Sequence, residues 1–353
     1  MKLIFRFTFM AILLQISSCS LNSQLISNTD YYYKLGCRIF NNSGDLVRWY
    51  PGNTCYFEPD GHLLMYVPTF KNLYYIDKDL KVIWTQPIQS HHQINKTKNG
   101  DYLILSSELK NYQGKKVRFD NLLRINAAGI TVAHFSFYEH VRELNSYLDK
   151  NESQLAIYDW DKEASEYGDF EYSHANSFYE ISENAKSEKY NELATGNLIV
   201  NSINYNRTLI LDKDLKTILK VIRFPTQMSH DVQITKDGDF IFFNNFTDQT
   251  PPKSRVEIWT YPELKLKWAY QRSSPDFFSP TRGGVQLLEK NLLIFSDFRI
   301  DRNNNVKSIT SSGVFLDMKS GKELKEVQFK EKKFFQQVNF IELSQFLKNN
   351  QGI

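Results

Sequence analysis

The sequence predicts an all-β fold, a six-bladed β-propeller whose two chain ends close one blade, and three observations predict it. A hairpin phrase recurs six times, at Cys37–Trp49, Tyr74–Trp84, Leu122–Phe135, Leu209–Ile222, Val256–Tyr270 and Val314–Phe329. A second phrase alternates with it, most clearly at His92–Ser106 and His230–Asn244, more loosely at Gly283–Ser296 and Asn53–Tyr66. The last strand-like run, Phe334–Leu343, has no hairpin after it, while the first hairpin, Cys37–Trp49, has no inner strand before it.

Each copy of the first phrase is a short apolar strand, a turn of Asp, Asn, Gly or Lys, and a second alternating strand, which is hairpin chemistry. Repeats of about 40 to 50 residues that each supply a few strands are propeller blades, because one hairpin cannot bury its own faces. The second phrase is strand, Asn99-Gly100 or Asp237-Gly238 turn, strand, and supplies the inner half of a blade. Gly100 follows His92 at the interval by which Gly238 follows His230. Joining the two unpaired ends into one blade closes the ring and removes its open edge.

The 353 residues could form two domains by length, but the uninterrupted repeat argues for one. An aromatic content of 14%, with 26 Phe and 20 Tyr, suits packed sheets. A net charge of +3, spread among the turns, gives no reason to expect a nucleic-acid partner.

The first residues differ in kind. Lys2 and Arg6 precede the apolar run Phe7–Ile16, which is short for a bilayer span and fits the core of a signal peptide. Ser17-Ser18-Cys19 resembles the bacterial lipobox. That resemblance implies a lipoprotein signal over 1–19 and a lipidated Cys19; the polar residues 20–30 read as a tether, and the repeat assigns 31–353 to the propeller. With Ser20 after the cysteine, the lipobox resemblance implies a periplasmic protein anchored by lipid to the outer membrane. An exported compartment permits a bridge between Cys37 and Cys55, though spacing alone leaves the pairing open.

Three histidines carry the functional signal. His92 and His230 hold one position in successive inner-strand phrases, and His174 precedes the strand at Asn197–Val200 that continues its blade. Their register aims all three at one axial region. His91 is expected to point away from the channel, His62 lies in a turn, and His134 and His140 fall on an outer strand and an insertion. Asp231 could orient an imidazole, but its alternation favours a structural role. Three histidines without an evident carboxylate and supporting shell do not read as a metal site, and no cofactor is expected. The insertion Phe137–Gly168 is a lid or a surface loop, and Asn245–Lys253, with Pro251-Pro252, is a rigid turn.

Several segments together resemble the bacterial arylsulfotransferases that work without a nucleotide sulfate donor. They are His91-His92-Gln93-Ile94 with Asn99-Gly100, Ser173-His174-Ala175-Asn176-Ser177, Ser229-His230-Asp231 with Phe243-Asn244-Asn245, Ser254-Arg255, and Gly284-Val285-Gln286 with Asn291. They cover roughly residues 45–330. The resemblance implies a six-bladed propeller with its site in the channel and a ping-pong transfer of a sulfuryl group from an aryl sulfate to a phenol. His230 matches the nucleophile, while His92, His174 and Asn176 match residues that bind the sulfuryl oxygens and steady the leaving oxygen. The chain departs from the family where a Ser-x-Arg phrase is expected: Val200–Asn204 holds no arginine, and Arg207 is the nearest cation in sequence. The alternative is a non-catalytic ligand- or protein-binding propeller lipoprotein of the outer membrane.

Overall fold

A computed structural model of the chain describes residues 26–28, 30–149, 156–157, 170–226, 228–246, 253–272, 277–279, 283–289, 291–299, 310–329 and 339–350. The expected signal peptide, Cys19 and most of the tether lie outside them. So do Pro251-Pro252, the first residues of Phe334–Leu343 and most of the insertion after Asn145.

Six sheets, each with an antiparallel four-stranded meander, succeed one another as the blades of a β-propeller, and that of blade 3 carries two further short strands. From channel to rim, blade 2 is Thr54–Phe57, Leu63–Val67, Asn72–Ile76 and Val82–Gln86. Blade 3 is Ser90–Lys96, Tyr102–Tyr112, Lys115–Ile125 and Thr131–Ser136. Blade 4 is Ala175–Glu180, Leu198–Ser202, Arg207–Leu211 and Ile218–Ile222. Blade 5 is His230–Ile234, Phe240–Asn244, Arg255–Trp259 and Leu266–Tyr270, and blade 6 is Val285–Glu289, Leu292–Arg299, Thr310–Asp317 and Lys322–Gln328.

Blade 1 is built from both ends of the chain: Asn339–Glu342 innermost, then Tyr31–Leu35, Arg38–Phe40 and Leu46–Trp49. The ends do share a blade, but the first hairpin does not meet the C-terminal strand directly. Tyr31–Leu35 stands between them, with Tyr33 opposite Phe340 on one side and Phe40 on the other. The inner phrase of this blade is divided between the termini, so no contiguous copy exists in the sequence. Aromatic rings hold the seam: Tyr31 stacks on Phe340 at 5.0 Å, and Phe315 meets Phe340 edge-on at 4.9 Å.

Four of the recurring rim hairpins share one turn. Asn41, Asp77, Asn126 and Asp212 each accept two backbone N–H groups from the following residues on one side-chain oxygen. Three residues on, Gly44, Leu80, Gly129 and Leu215 take a left-handed φ of 77°, 60°, 81° and 60°. A bulge follows in each strand pair. This local code, rather than the apolar residues alone, is what repeats in the sequence.

The core lies between blades instead of at the centre. Each described apolar cluster joins two neighbours: Ile241, Phe243, Leu293 and Phe295 join blades 5 and 6, and Ile199, Ile210, Val232 and Phe242 join blades 4 and 5. Burying each such side chain contributes about 1.5–3 kcal/mol. The inner strands therefore face a channel with one edge unpaired by any strand, a state that needs other partners. Side chains supply them across five of the six gaps. Gln93 Oε1 accepts from the Phe178 amide at 2.9 Å, Ser177 Oγ from Val232 at 3.2 Å, Gln233 Oε1 from Leu287 at 3.2 Å, and Gln286 Oε1 from Phe340 at 2.8 Å. Lys34 Nζ donates to the Cys55 carbonyl at 3.1 Å, and Cys37 and Cys55 form a disulfide between blades 1 and 2.

Candidate active site at one end of the channel

The inner strands of blades 3, 4 and 5 begin irregularly, with pairing shifts between Ser90 and Ile94, Ala175 and Ser177, and His230 and Gln233. His92, His174 and Asp231 there have positive φ of 56°, 47° and 55°. Such backbone costs about 1–3 kcal/mol per residue and concentrates where side chains must be re-aimed. Here it turns three strand starts towards one another.

His230 is buried, and its Nδ1 lies 2.7 Å from Asn245 Oδ1 and 3.0 Å from the Met228 carbonyl. Both partners are acceptors, so in the neutral ring Nδ1 carries the proton and Nε2 the lone pair. The Asn245 amide is fixed in turn: its Nδ2 donates to the Ser279 carbonyl at 2.6 Å, and Ser254 Oγ donates to its backbone carbonyl at 3.1 Å.

His92 packs edge-on against His174, ring centres 5.3 Å apart, and against His91 at 5.0 Å. Burial, then the fields of His91, His174, His230 and the Arg118 guanidinium, hold the His92 imidazole well below its ordinary pKa, so it is neutral at pH 7. His91 was expected to face away; instead its Nδ1 is 2.7 Å from His92 Nδ1, and its Nε2 is 3.1 Å from Asp120. The bulge changes the alternation that set the expectation. Burial alone would raise the Asp120 carboxyl. The hydrogen bond from His91, the charges of His91 and Arg118, and the Ser173 hydroxyl outweigh it and hold the carboxylate below its ordinary range.

His174 Nδ1 is 2.7 Å from Glu171 Oε2, and Glu171 pairs with Arg118 at 3.3 Å. Arg118 and Asp120 come from the outward continuation of Tyr102–Tyr112 and Lys115–Ile125, whose strand pairs in parallel with Phe170–Glu171. Asn176 is buried and donates to the Ser229 carbonyl at 2.8 Å, beside Asn201, which donates there at 2.7 Å. Arg207 turns elsewhere, donating to the Asn206 and Tyr147 carbonyls under the short helix Val141–Asn145.

The structure thus brings His92, His174 and His230 together and sets Asn176 beside the peptide that carries His230. Sequence reasoning gave no role at the site to Asp120, Arg118 or Glu171, placed His91 away from it, and met Asn245 only as part of a matching segment. Asp231 Oδ2 accepts from the Val285 amide at 2.8 Å and links blades. His62 pairs with Asp60 and stacks on Tyr75, His134 meets Glu139, and His140 stacks on Phe135, all away from this site. Among the described residues, no three His, Cys, Asp or Glu side chains converge as a metal ion would require, and no helix is long and apolar enough to cross a membrane.

No protein-family model and no curated protein matches the chain. Solved structures do. A Bacteroides caccae protein of unknown function is 13% identical, with a TM-score of 0.53 over 88% of this chain and 98% of its own. The WD40 β-propeller domain of Doa1 is 9% identical, with a TM-score of 0.45 over 84% of this chain and 78% of its own. Virginiamycin B lyase from Staphylococcus aureus is 12% identical, with a TM-score of 0.38 over 81% and 82%. Likeness at this level is likeness of fold.

Proposed function

We propose that the protein transfers a sulfuryl group from an aryl sulfate to a phenol through a sulfohistidine at His230. The observation that carries this reading is the pinned imidazole: Asn245 and Met228 hold the proton on Nδ1, which presents an Nε2 lone pair beside two more histidines. A neutral imidazole is a competent nucleophile near pH 7.

In the first half-reaction, Nε2 of His230 forms a bond to sulfur, the sulfur–aryl oxygen bond breaks, and its electron pair leaves on the phenolate oxygen. Protonated His174, its Nδ1–H held by Glu171, supplies the proton that neutralises that oxygen. In the second, an acceptor phenol gives its proton to His174, its oxygen bonds to sulfur, and the nitrogen–sulfur bond breaks. His91, with Nε2 towards Asp120 and Nδ1 against His92 Nδ1, fixes the His92 ring so that its Nε2 faces a sulfuryl oxygen. Asn176 uses one amide hydrogen on Ser229 and offers its second to the same group. Arg118 replaces the family arginine as the cation of the site. The Cys37–Cys55 disulfide supports a location outside the reducing cytoplasm, which the lipobox-like Cys19 also implies; replacing Cys19 with alanine should then release the protein from the membrane.

The test is incubation with p-nitrophenyl sulfate, with and without a phenol. Nitrophenolate release and an acid-labile sulfate mass on the His230 peptide are expected, both lost in His230→Ala and unchanged in His62→Ala. A folded wild-type protein that forms no adduct and releases no nitrophenolate would favour the binding-propeller alternative.

A further inference from the structure

A cavity of about 620 Å³ along the channel is lined without the histidines. It begins at Gln93 and Asp231, one residue past His92 and His230, and runs to the opposite ends of the same inner strands. There it reaches the surface between the exposed Lys236 and Lys319. Phe57, Phe178, Trp268, Leu287 and Ile341 give it an apolar wall of five blades. A volume of this size suits one small organic molecule.

Lys34 lies in that wall. Its Nζ has one hydrogen-bond partner, the Cys55 carbonyl at 3.1 Å, and no ion-pair partner among the described residues. The carboxylate of Asp231, on blade 5, is committed to the Val285 amide. Lys34 sits on strand Tyr31–Leu35 opposite Asn339, and Cys55 is tied to Cys37 by the disulfide, so the ammonium is held in place. Lys34 is half-buried, and an ammonium set among apolar walls without a counter-charge is poorly solvated, which pushes its pKa down to about 8. An entering anion would offset that poor solvation while its carbon body covered the aromatic wall.

We propose that this cavity is a binding site for an apolar organic anion, with one carboxylate, sulfonate or sulfate head on Lys34 and an aryl or hydrocarbon body against Phe57, Phe178 and Trp268. The proposal does not rest on the chemistry of the histidines, because the cavity is lined without them.

Two dyes of similar body test it. Wild-type protein should bind anilinonaphthalene sulfonate saturably, and Lys34→Met should weaken that binding by about tenfold or more. The uncharged phenylnaphthylamine should bind both proteins within about twofold, and His230→Ala should bind the sulfonate as wild type does. Failure of the wild-type protein to bind the sulfonate, sulfonate binding unaltered by Lys34→Met, or an equal loss of both dyes would overturn the proposal. A second measurement uses wild-type protein alone. Saturating sulfonate should slow reductive methylation of Lys34, read by peptide mass spectrometry, without slowing that of the exposed Lys81. Equal rates at Lys34 with and without the dye would also defeat it.

Discussion

The amide oxygen of Asn245 lies 2.7 Å from Nδ1 of His230, so a neutral group, rather than a carboxylate, selects the tautomer of this imidazole. A carboxylate there would favour the imidazolium and remove the Nε2 lone pair. In Asn245→Leu, nitrogen-15 spectra of His230 should show mixed tautomers where the wild type shows Nδ1–H, and sulfate-adduct formation should slow about a hundredfold. A single unchanged tautomer in that variant would show that the Met228 carbonyl suffices.

Arg118 and Arg207 separate charge at the site from support of the fold alone. Replacing Arg118 with glutamine should cut aryl-sulfate turnover by about 10² to 10³, the usual effect of removing one stabilising donor, and should also lower the urea midpoint, because the buried Glu171 loses its cation. Replacing Arg207 should cost about 1–2 kcal/mol of stability through the lost Asn206 and Tyr147 contacts, with turnover altered only a few-fold. Steady-state kinetics and urea titration of both variants decide the matter.

Acid should weaken the fold in two windows. The His92 pKa is lower in the folded than in the unfolded chain, so below about pH 6.5 the unfolded chain takes up a proton that the folded chain refuses. Stability is complete above that pH and falls below it, by up to about 1.4 kcal/mol per pH unit from this group. Asp120, whose folded pKa is depressed, contributes above about pH 4 and loses its contribution as pH drops further. Urea midpoints from pH 7.5 to 5 should decline in the wild type and flatten in His92→Gln.

The disulfide closes an 18-residue separation. On the loop-entropy account that is worth about 3 kcal/mol. Cys37→Ser and reduced wild-type protein should lose similar stability, and the double variant Cys37→Ser/Cys55→Ser should lose no more than the single one. Denaturant titrations with and without reductant check this.

The blades were legible because their turns are local. Asp77 and Leu80, or Asn41 and Gly44, carry the hairpin geometry within a few residues, and the pattern survives in single-sequence reading. Tyr31–Leu35 was missed as the second strand of its blade because the neighbour that completes it, Asn339–Glu342, lies at the other end of the chain. The same division applies to the site. His92, His174 and His230 follow from repeat register. Their partners do not: Asp120 and Arg118 arrive on an extended arm of blade 3, Glu171 pairs with that arm, and Asn245 follows a strand from the second layer. His91 shows the limit of alternation, since a bulge lets it lie on the same side as its neighbour His92.

The divided blade also sets a schedule. Tyr33 is made early and must wait for Phe340, roughly 300 residues later, before the sheet they share can form. Until the final strand is delivered, five finished blades would stand as an open arc with an exposed apolar flank on blade 6. For a chain made from its N-terminus, the ring can lock only once Asn339–Glu342 has emerged. A truncation after residue 338 would leave most of the strands intact yet withhold the one that fastens them.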